Sequence, residues 1–154
     1  MFSEVAASSG DVLMVPSVRR GAAFGDIDND GDIDVVINNL DGNPLILRND
    51  SVNKNNWVTI KTVGKGMNRD AVGARVKVVS GDLVQWDEVH SGGSYLSSGD
   101  LRLHYGLGKR NQIDSIEVHW PDGTVEMIGA VPVDNLVIIE EGKGVVKTVA
   151  PGKR

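Results

Sequence analysis

The sequence predicts an all-β protein, and three features of its 154 residues support that prediction. Short stretches rich in valine, isoleucine and threonine recur between turn-forming residues. Glycine is abundant, with 19 residues, and helical periodicity is hard to find anywhere in the chain. Apolar and polar residues alternate in several stretches, as in Ala74, Val76 and Val78 against Arg75 and Lys77. We therefore expect an antiparallel β-sandwich or barrel preceded by a smaller β unit.

The composition describes a globular protein of one domain, or of one domain with a small appendage. Apolar residues make up 40% of the chain, and there is no cysteine to form a disulfide. The formal charge is −5 and no basic cluster occurs, which argues against a nucleic-acid partner. No apolar run has the length of a membrane span, and the N-terminus lacks the pattern of a signal peptide. Two alternatives follow: a cytoplasmic protein, or a piece of a longer one.

The first fifty residues are predicted to form an arm and one small β unit. Residues 1–18 form the arm, with a short strand at Val12–Val15. Residues 19–50 form the β unit, with strands at Arg20–Gly25, Asp34–Asn38 and Pro44–Arg48. This unit has the size of about one β-propeller blade, and one blade alone is not expected to be stable. It should pack on the rest of the chain, on a second copy or on residues outside this chain.

The acidic segment 26–34 joins the first two strands of this unit and is the most informative stretch of the sequence. It carries five aspartates in nine residues: Asp26, Asp28, Asp30, Asp32 and Asp34. Five carboxylates in one loop repel one another unless a cation neutralises them. Calcium takes roughly 6–8 oxygen ligands and suits alternating aspartates around a glycine turn, whereas magnesium demands a stricter octahedron. We predict a Ca²⁺ site in which Asp32 contributes its main-chain carbonyl and the other four aspartates their carboxylates.

The predicted calcium loop differs from an EF-hand. An EF-hand loop carries a glutamate at its twelfth position and leads into a helix. Here the twelfth position is Ile37, and Asp34 leads into the β-branched run Val35–Ile37. A loop without that glutamate is expected to be a weak-to-moderate site, filled at extracellular calcium of about 10⁻³ M. The alternative interpretation is a solvated turn without a metal.

A second β region is predicted at residues 56–142, after a polar boundary at residues 49–56. Turn signals such as Gly81-Asp82 and Pro121-Asp122-Gly123 separate its strands. Seven strands are predicted, at Trp57–Val63, Ala74–Ser80, Leu83–His90, Leu101–Tyr105, Ile113–Trp120, Thr124–Ile128 and Leu136–Glu140. The last residues, 143–154, are predicted to be a tail that is basic and frayed from Val145 onward.

Both regions resemble known families. The Asp loop, with Phe24-Gly25 before it and a strand after it, resembles the calcium loops of FG-GAP/VCBS repeats, the blades of integrin-like propellers. Four segments of the second region resemble the ASPIC/UnbV domain: Asn68–Val76, Ser91–Ser97, Leu103–Gly108 and Trp120–Gly123. The resemblance implies secreted or surface proteins, with calcium in the repeats and no established catalytic activity for the domain. The sequence departs from that pattern at Ser98, where glutamine is expected, and at His119, where arginine is usual.

Other candidate groups carry weaker signals. No Gly-x-Ser-x-Gly motif supports a serine hydrolase, and Gly106–Arg110 lacks the spacing of a phosphate-binding loop. Paired zinc-ligand spacing is missing among the three histidines, His90, His104 and His119. The tryptophans are candidates for stacking on sugar rings or for core packing: Trp57, Trp86 and Trp120.

These observations favour a non-catalytic, calcium-binding extracellular β module for adhesion or for binding a protein or carbohydrate ligand. The alternatives are an accessory or enzymatic domain of a bacterial biosynthetic or surface system, and a purely structural propeller cap that self-associates through the β unit. The favoured location, inferred from the calcium loop and the resemblance, is extracellular, cell-surface or periplasmic.

Overall fold

The structure is a computed structural model that describes residues 2–5, 8, 10–51 and 54–152. Within these ranges the regular structure consists of eleven β-strands and short 3-10 turns, the longest at Asp11–Met14. The predicted boundary at residues 49–56 includes Val52 and Asn53, which lie outside the described residues. The all-β prediction is confirmed.

The strands form three sheets. The first is antiparallel, in the order β1 (Arg19–Gly25), β2 (Asp34–Asn39) and β3 (Leu45–Leu47). The second has the order β11 (Gly144–Val149), β10 (Asn135–Glu140), β4 (Asn56–Val63) and β7 (Leu103–Gly108). The third has the order β6 (Leu83–Glu88), β5 (Arg75–Ser80), β8 (Ser115–His119) and β9 (Val125–Ile128).

The second and third sheets pack face to face as a β-sandwich. Buried side chains from one sheet, such as Val58 and Ile60, belong to the same core cluster as Val76 and Val78 from the other. The alternation predicted for β5 is confirmed, because Arg75 and Lys77 lie on its outer side. Tyr105 is also buried, and its hydroxyl donates a hydrogen bond to the carbonyl of Val76 at 3.0 Å. Among the described strands the two sheets stay separate and do not close into a barrel.

One strand pair differs from the antiparallel expectation. β10 pairs with β4 in parallel, with Asn135 opposite Val58 and Glu140 opposite Val63. The remaining strand pairs of the described residues are antiparallel. The parallel pair places the first strand of the sandwich in the middle of its sheet, between β10 and β7.

Two local predictions were wrong. The stretch Val12–Val15 is not a strand, because residues 11–14 form a 3-10 turn in which the Leu13 amide donates to the Gly10 carbonyl at 3.1 Å. The stretch 143–154 is not frayed throughout, because it contains β11. Val145 and Val149 of β11 lie opposite Ile139 and Leu136 of β10, and β-branched residues favour this extended pairing.

Candidate metal site

The Asp loop connects β1 to β2 on the first sheet. The two strands end opposite each other, with Gly25 of β1 paired with Asp34 of β2. Asn29 and Gly31 have positive φ angles of 59° and 94°, which turn the chain sharply between the strands. The predicted turn at Gly31 is therefore present, and it lies where an alternating series of aspartates must fold back on itself.

Three of the five predicted ligands lie together. Carboxylate oxygens of Asp26, Asp28 and Asp34 all lie within 4.8 Å of one another. Asp26 and Asp34 are buried, with 3% and 2% of their surface exposed. Asp30 and Asp32 are also buried but lie outside this group of carboxylates. The structure thus brings together the first, third and ninth positions of the loop.

Main-chain amides hold two of these carboxylates in place. Asp26 accepts hydrogen bonds from the amides of Asp30 at 3.1 Å and Gly31 at 3.0 Å. Asp34 accepts from the amides of Ile27 at 2.9 Å and Asn49 at 2.8 Å. The Asp30 carboxylate in turn accepts from the amide of Asp32 at 2.9 Å. These bonds fix the loop around its own carboxylates, as short polar side chains commonly do in turns.

The hydrogen bonds leave part of the negative charge without compensation. Burial raises the pKa of the Asp26 carboxyl above its ordinary value, although the amides of Gly31 and Asp30 and the charge of Arg102 act in the opposite direction. The Oδ1 atom of Asp28 is buried and has no hydrogen-bond partner. A cation among the three carboxylates would satisfy both groups, and an all-oxygen donor set suits a hard divalent ion.

Trp57 of the sandwich packs against the Asp loop at Gly31. A Cβ atom at Gly31 would lie 2.0 Å from the Nε1 atom of Trp57, so only glycine allows this approach. Trp57 is 8% exposed and begins the central strand β4. Its ring stacks on that of His104, with ring centres 5.9 Å apart. The β unit therefore packs on the rest of the same chain, which is the first of the three arrangements expected for it.

Arg102 connects the loop to the sandwich. Its guanidinium donates to the side-chain oxygen of Asn29 and to the main-chain carbonyl of Asp26, both at 2.5 Å. It also pairs with Asp100, whose amide donates to the Phe24 carbonyl at 2.8 Å. Arg102 therefore bonds directly to the loop and to Asp100, and Asp100 in turn bonds to β1.

The C-terminal segment contacts the loop as well. The amide of Gly152 donates to the Asn29 carbonyl at 2.6 Å. A Cβ atom at Gly152 would lie 2.1 Å from the carbonyl oxygen of Asp28. The Asp loop therefore lies between Trp57, Arg102 and Gly152, three residues that are far apart in the sequence.

Comparison with known proteins identifies the sandwich. Residues 64–146, more than half of the chain, match the family described as ASPIC and UnbV. The chain belongs to the ASPIC and UnbV family. The matched residues include strands β5 to β10, and β4 immediately precedes them.

Relatives of this ASPIC/UnbV chain include animal proteins named Cartilage acidic protein 1. The Xenopus tropicalis protein is 32% identical over 120 residues, which cover 75% of this chain. The Mus musculus and Homo sapiens proteins are each 30% identical over 118 residues, or 74% of this chain. In all three cases the match spans 18% of the relative's own length.

The other candidate groups of the ASPIC/UnbV chain do not converge. Trp57 and Trp120 are buried at 8% and 3% exposure, while Trp86 is 45% exposed on the outside of the third sheet. Arg75 and Lys77 lie over the Trp86 ring, each 5.3 Å from its centre. The three tryptophans therefore form no common stacking platform.

The three histidines are also separate. His104 stacks on Trp57, His119 contacts Glu117 at 2.6 Å, and His90 lies 3.8 Å from Glu88. Among the described residues no group of metal-ligating side chains includes a histidine. Among the described residues we find no helix with the length and the apolar character that a membrane span requires.

Arg102, Trp57 and Gly152 were not predicted to contact the Asp loop. Each is a single residue without a local motif, and each lies at least 23 positions from Asp34 in the sequence. The nearest signal was the expectation that an isolated β unit must pack on something. That expectation indicates a contact but does not indicate which residues make it.

Proposed function

We propose that this chain is a non-catalytic, calcium-binding β module that works outside the cell and binds a protein or carbohydrate ligand. The observation that supports the calcium part is the convergence of Asp26, Asp28 and Asp34 around a buried carboxylate oxygen without a hydrogen-bond partner. Burial raises the pKa of the Asp26 carboxyl despite the neighbouring amides and Arg102, and a bound cation would stabilise its charged form.

In this proposal the carboxylates of Asp26, Asp28 and Asp34 hold Ca²⁺. The carbonyl of Asp32 and the carboxylate of Asp30 remain the proposed additional ligands, and water completes a shell of roughly 6–8 oxygens. The protein residues supply charge and a fixed shape, and the ion neutralises the loop. Mg²⁺ is the weaker candidate, because it retains more of its water and demands a stricter octahedron.

We further propose that residues 19–50 form one FG-GAP/VCBS-like repeat and that residues 56–142 form the ASPIC/UnbV β domain. The antiparallel order of β1, β2 and β3, with the Asp loop between the first two, supports the repeat. Including β4 in the domain is supported by its place in the middle of the second sheet. Self-association through the β unit is the alternative proposal, and light scattering at several concentrations tests it.

The extracellular location rests on two observations. Relatives with at least 30% identity carry a name that refers to cartilage. A loop without the twelfth-position glutamate is also suited to calcium of about 10⁻³ M, an extracellular concentration. A cell-surface or periplasmic location agrees with the same requirement for calcium of about 10⁻³ M.

Calorimetric titration of calcium into chelator-stripped protein tests the metal site. We expect saturable binding of one ion per chain, with a dissociation constant of about 10⁻⁴–10⁻³ M. Asp28→Asn removes a charge at constant size and should weaken binding by at least about tenfold, or ~1.4 kcal/mol. Asp41→Asn is the matched control, because Asp41 lies in the exposed turn between β2 and β3 of the same sheet. Absence of binding by the unmodified protein, or equal binding by Asp28→Asn, would contradict the proposal.

A further inference from the structure

A groove lies between β1 and the segment that follows β6. Its cavity volume is about 250 Å³. Ala22 and Phe24 of β1 line one side, and Gly92, Gly93 and Ser94 line the other. The groove therefore brings together Phe24 and the Ser91–Ser97 segment, neither of which contributes a carboxylate to the metal site.

Close contacts hold the two walls together. A Cβ atom at Gly21 would lie 2.3 Å from the Ser97 hydroxyl, so the Ser91–Ser97 segment packs directly against β1. At the other end, the amide of Asp100 donates to the Phe24 carbonyl at 2.8 Å. The groove is thus a fixed feature of the packed structure.

The lining combines an aromatic ring with hydroxyl and main-chain polar groups. Phe24 is 57% exposed, so part of its ring remains open to a ligand. The Ser97 hydroxyl donates to the Tyr95 carbonyl at 2.9 Å, and its lone pairs can still accept hydrogen bonds. Gly92 and Gly93 are exposed and have no side chain that would cover their main-chain carbonyls. A ligand that fits has an apolar face on one side and hydroxyl groups on the other.

Charge in the groove is balanced. Two lining residues, His90 and Asp100, carry ionisable side chains. Asp100 is paired with Arg102 at 2.5 Å, and the Nδ1 atom of His90 lies 3.8 Å from a carboxylate oxygen of Glu88. Because the groove's carboxylate is already neutralised, it offers no strong attraction to a charged ligand.

We propose that this groove binds one ring of a neutral saccharide. The C–H face of a pyranose packs on the exposed ring of Phe24, and its hydroxyl groups bond to Ser94, Ser97 and the glycine main chain. The size agrees, since the cavity of about 250 Å³ lies below the ~300 Å³ of pockets for larger ligands. This inference deepens the proposed ligand-binding role by naming the ligand class, and it does not depend on calcium occupying the Asp loop.

Titration with methyl glycosides of glucose, galactose and mannose, followed by amide NMR, tests the proposal. We expect at least one glycoside to shift the amide signals of Gly92, Gly93 and Gly99. Gly93→Leu should weaken that binding by at least about tenfold, because position 93 has no φ restriction and an added side chain meets open space on the groove wall. Phe24→Ala should weaken it similarly by removing the stacking surface.

Gly129→Leu is the matched control, since position 129 also has open space around it but lies away from the groove. Binding equal to that of the unmodified protein is expected for this variant. The proposal is overturned if no neutral glycoside shifts the groove amides, if Gly93→Leu binds as well as Gly129→Leu, or if only glucuronate or a phenylalanine-containing peptide binds.

The same titration separates this proposal from the calcium proposal. It is repeated with calcium and with EDTA, and the signals of Ile27, Asp30 and Gly31 report the metal site. Glycoside shifts at Gly92 and Gly93 without any calcium response would support the groove and contradict the metal site. Calcium shifts in the loop without a glycoside response would support the metal site and contradict the groove.

Discussion

Gly31 is a residue of the Asp loop that packs directly against a side chain of the sandwich. It needs a positive φ of 94°, and it leaves no room for a Cβ against Trp57. Gly31→Ala should lower the free energy of unfolding by about 2–3 kcal/mol, because backbone strain adds to the displacement of a buried indole. Urea denaturation of the two proteins measures this difference.

Gly42→Ala is the control for that experiment. Gly42 lies in the turn between β2 and β3, has no positive φ, and its nearest neighbour to an added Cβ is 3.9 Å away. A change within about 0.5 kcal/mol is expected there. If Gly31→Ala behaved like Gly42→Ala, the close contact with Trp57 would be wrong.

His104 gives the protein a specific sensitivity to acid. Burial, with a smaller contribution from the charge of Arg102, lowers the pKa of His104 below its ordinary value. As pH falls, the His104 imidazole is therefore protonated in the unfolded chain at a higher pH than in the folded protein. The stability that neutral His104 contributes is complete above the unfolded pKa of about 6.5 and is lost as pH falls from there toward the lowered folded pKa.

The free energy of unfolding should thus fall between about pH 7 and pH 5 more steeply in the unmodified protein than in His104→Gln. Glutamine keeps a side-chain group that can bond to Thr59, which now contacts His104 Nδ1 at 3.2 Å. The carboxylates titrate in both the unmodified protein and His104→Gln. The difference between their slopes of unfolding free energy against pH therefore reports the histidine alone. Parallel slopes would show that His104 is not held neutral by the fold.

Among the elements, the connection between the first sheet and the sandwich depends on Arg102. Its side chain is 20% exposed, and it bonds both to the loop and to Asp100. Arg102→Met should lower the free energy of unfolding by about 2–3 kcal/mol, since charge-assisted hydrogen bonds are lost and partly buried partners remain. Amide hydrogen exchange should accelerate at Ile27, Asp30 and Gly31 before it accelerates in β4 or β5.

Arg48→Met is the control variant, because it removes an exposed arginine–carboxylate ion pair. Arg48 and Asp50 pair at 2.7 Å, but their side chains are 62% and 65% exposed. Surface pairs of this kind contribute about 0–1 kcal/mol. Equal exchange rates in the loop of both variants would contradict the role assigned to Arg102.

The strands were predictable where one of their faces lies in the core. β5 and β8 alternate between buried and outward residues, so their period of two is visible in the sequence. β11 was missed because it is an edge strand whose Val145 and Val146 are 38% and 46% exposed, and its residues resemble a basic tail. The parallel pairing of β10 with β4 could not be predicted, because periodicity does not identify a strand's partner.

In the candidate site, too, the local pattern was predictable and the tertiary contacts were not. A local pattern of aspartates and one glycine predicted the loop, and the carboxylates of Asp26, Asp28 and Asp34 do lie together. Which aspartates would converge was less predictable, because Asp30 bonds to the amide of Asp32 within the loop. The supporting residues from the sandwich depend on tertiary packing, which a single sequence does not specify.

At the scale of the whole molecule, the contacts around the loop predict that both β regions unfold together. Trp57, Arg102 and Gly152 tie the first sheet to the sandwich. Tryptophan fluorescence, far-ultraviolet circular dichroism and hydrogen exchange in β2 should therefore report one coincident transition. Calcium at about 100 times its dissociation constant should raise the free energy of that transition by about 2.7 kcal/mol.

Asp28→Asn should show the same single transition without the calcium increment. An early transition confined to β1, β2 and β3 would show that the first sheet is an independent unit. A calcium increment that persists in Asp28→Asn would place the ion elsewhere in the molecule.

The parallel pairing of β10 with β4 also sets an order for events on the ribosome. All residues of the first sheet have been synthesised once residue 47 is reached, but β4 gains its parallel partner only with β10, and the loop gains its contact with Gly152 last. At about 5–20 residues per second, the residues between Asp34 and Gly152 take roughly 6–24 s to synthesise. Throughout that interval the nascent Asp loop lacks the support of Gly152, so a divalent ion in the compartment where the chain emerges would meet it before its packing is complete.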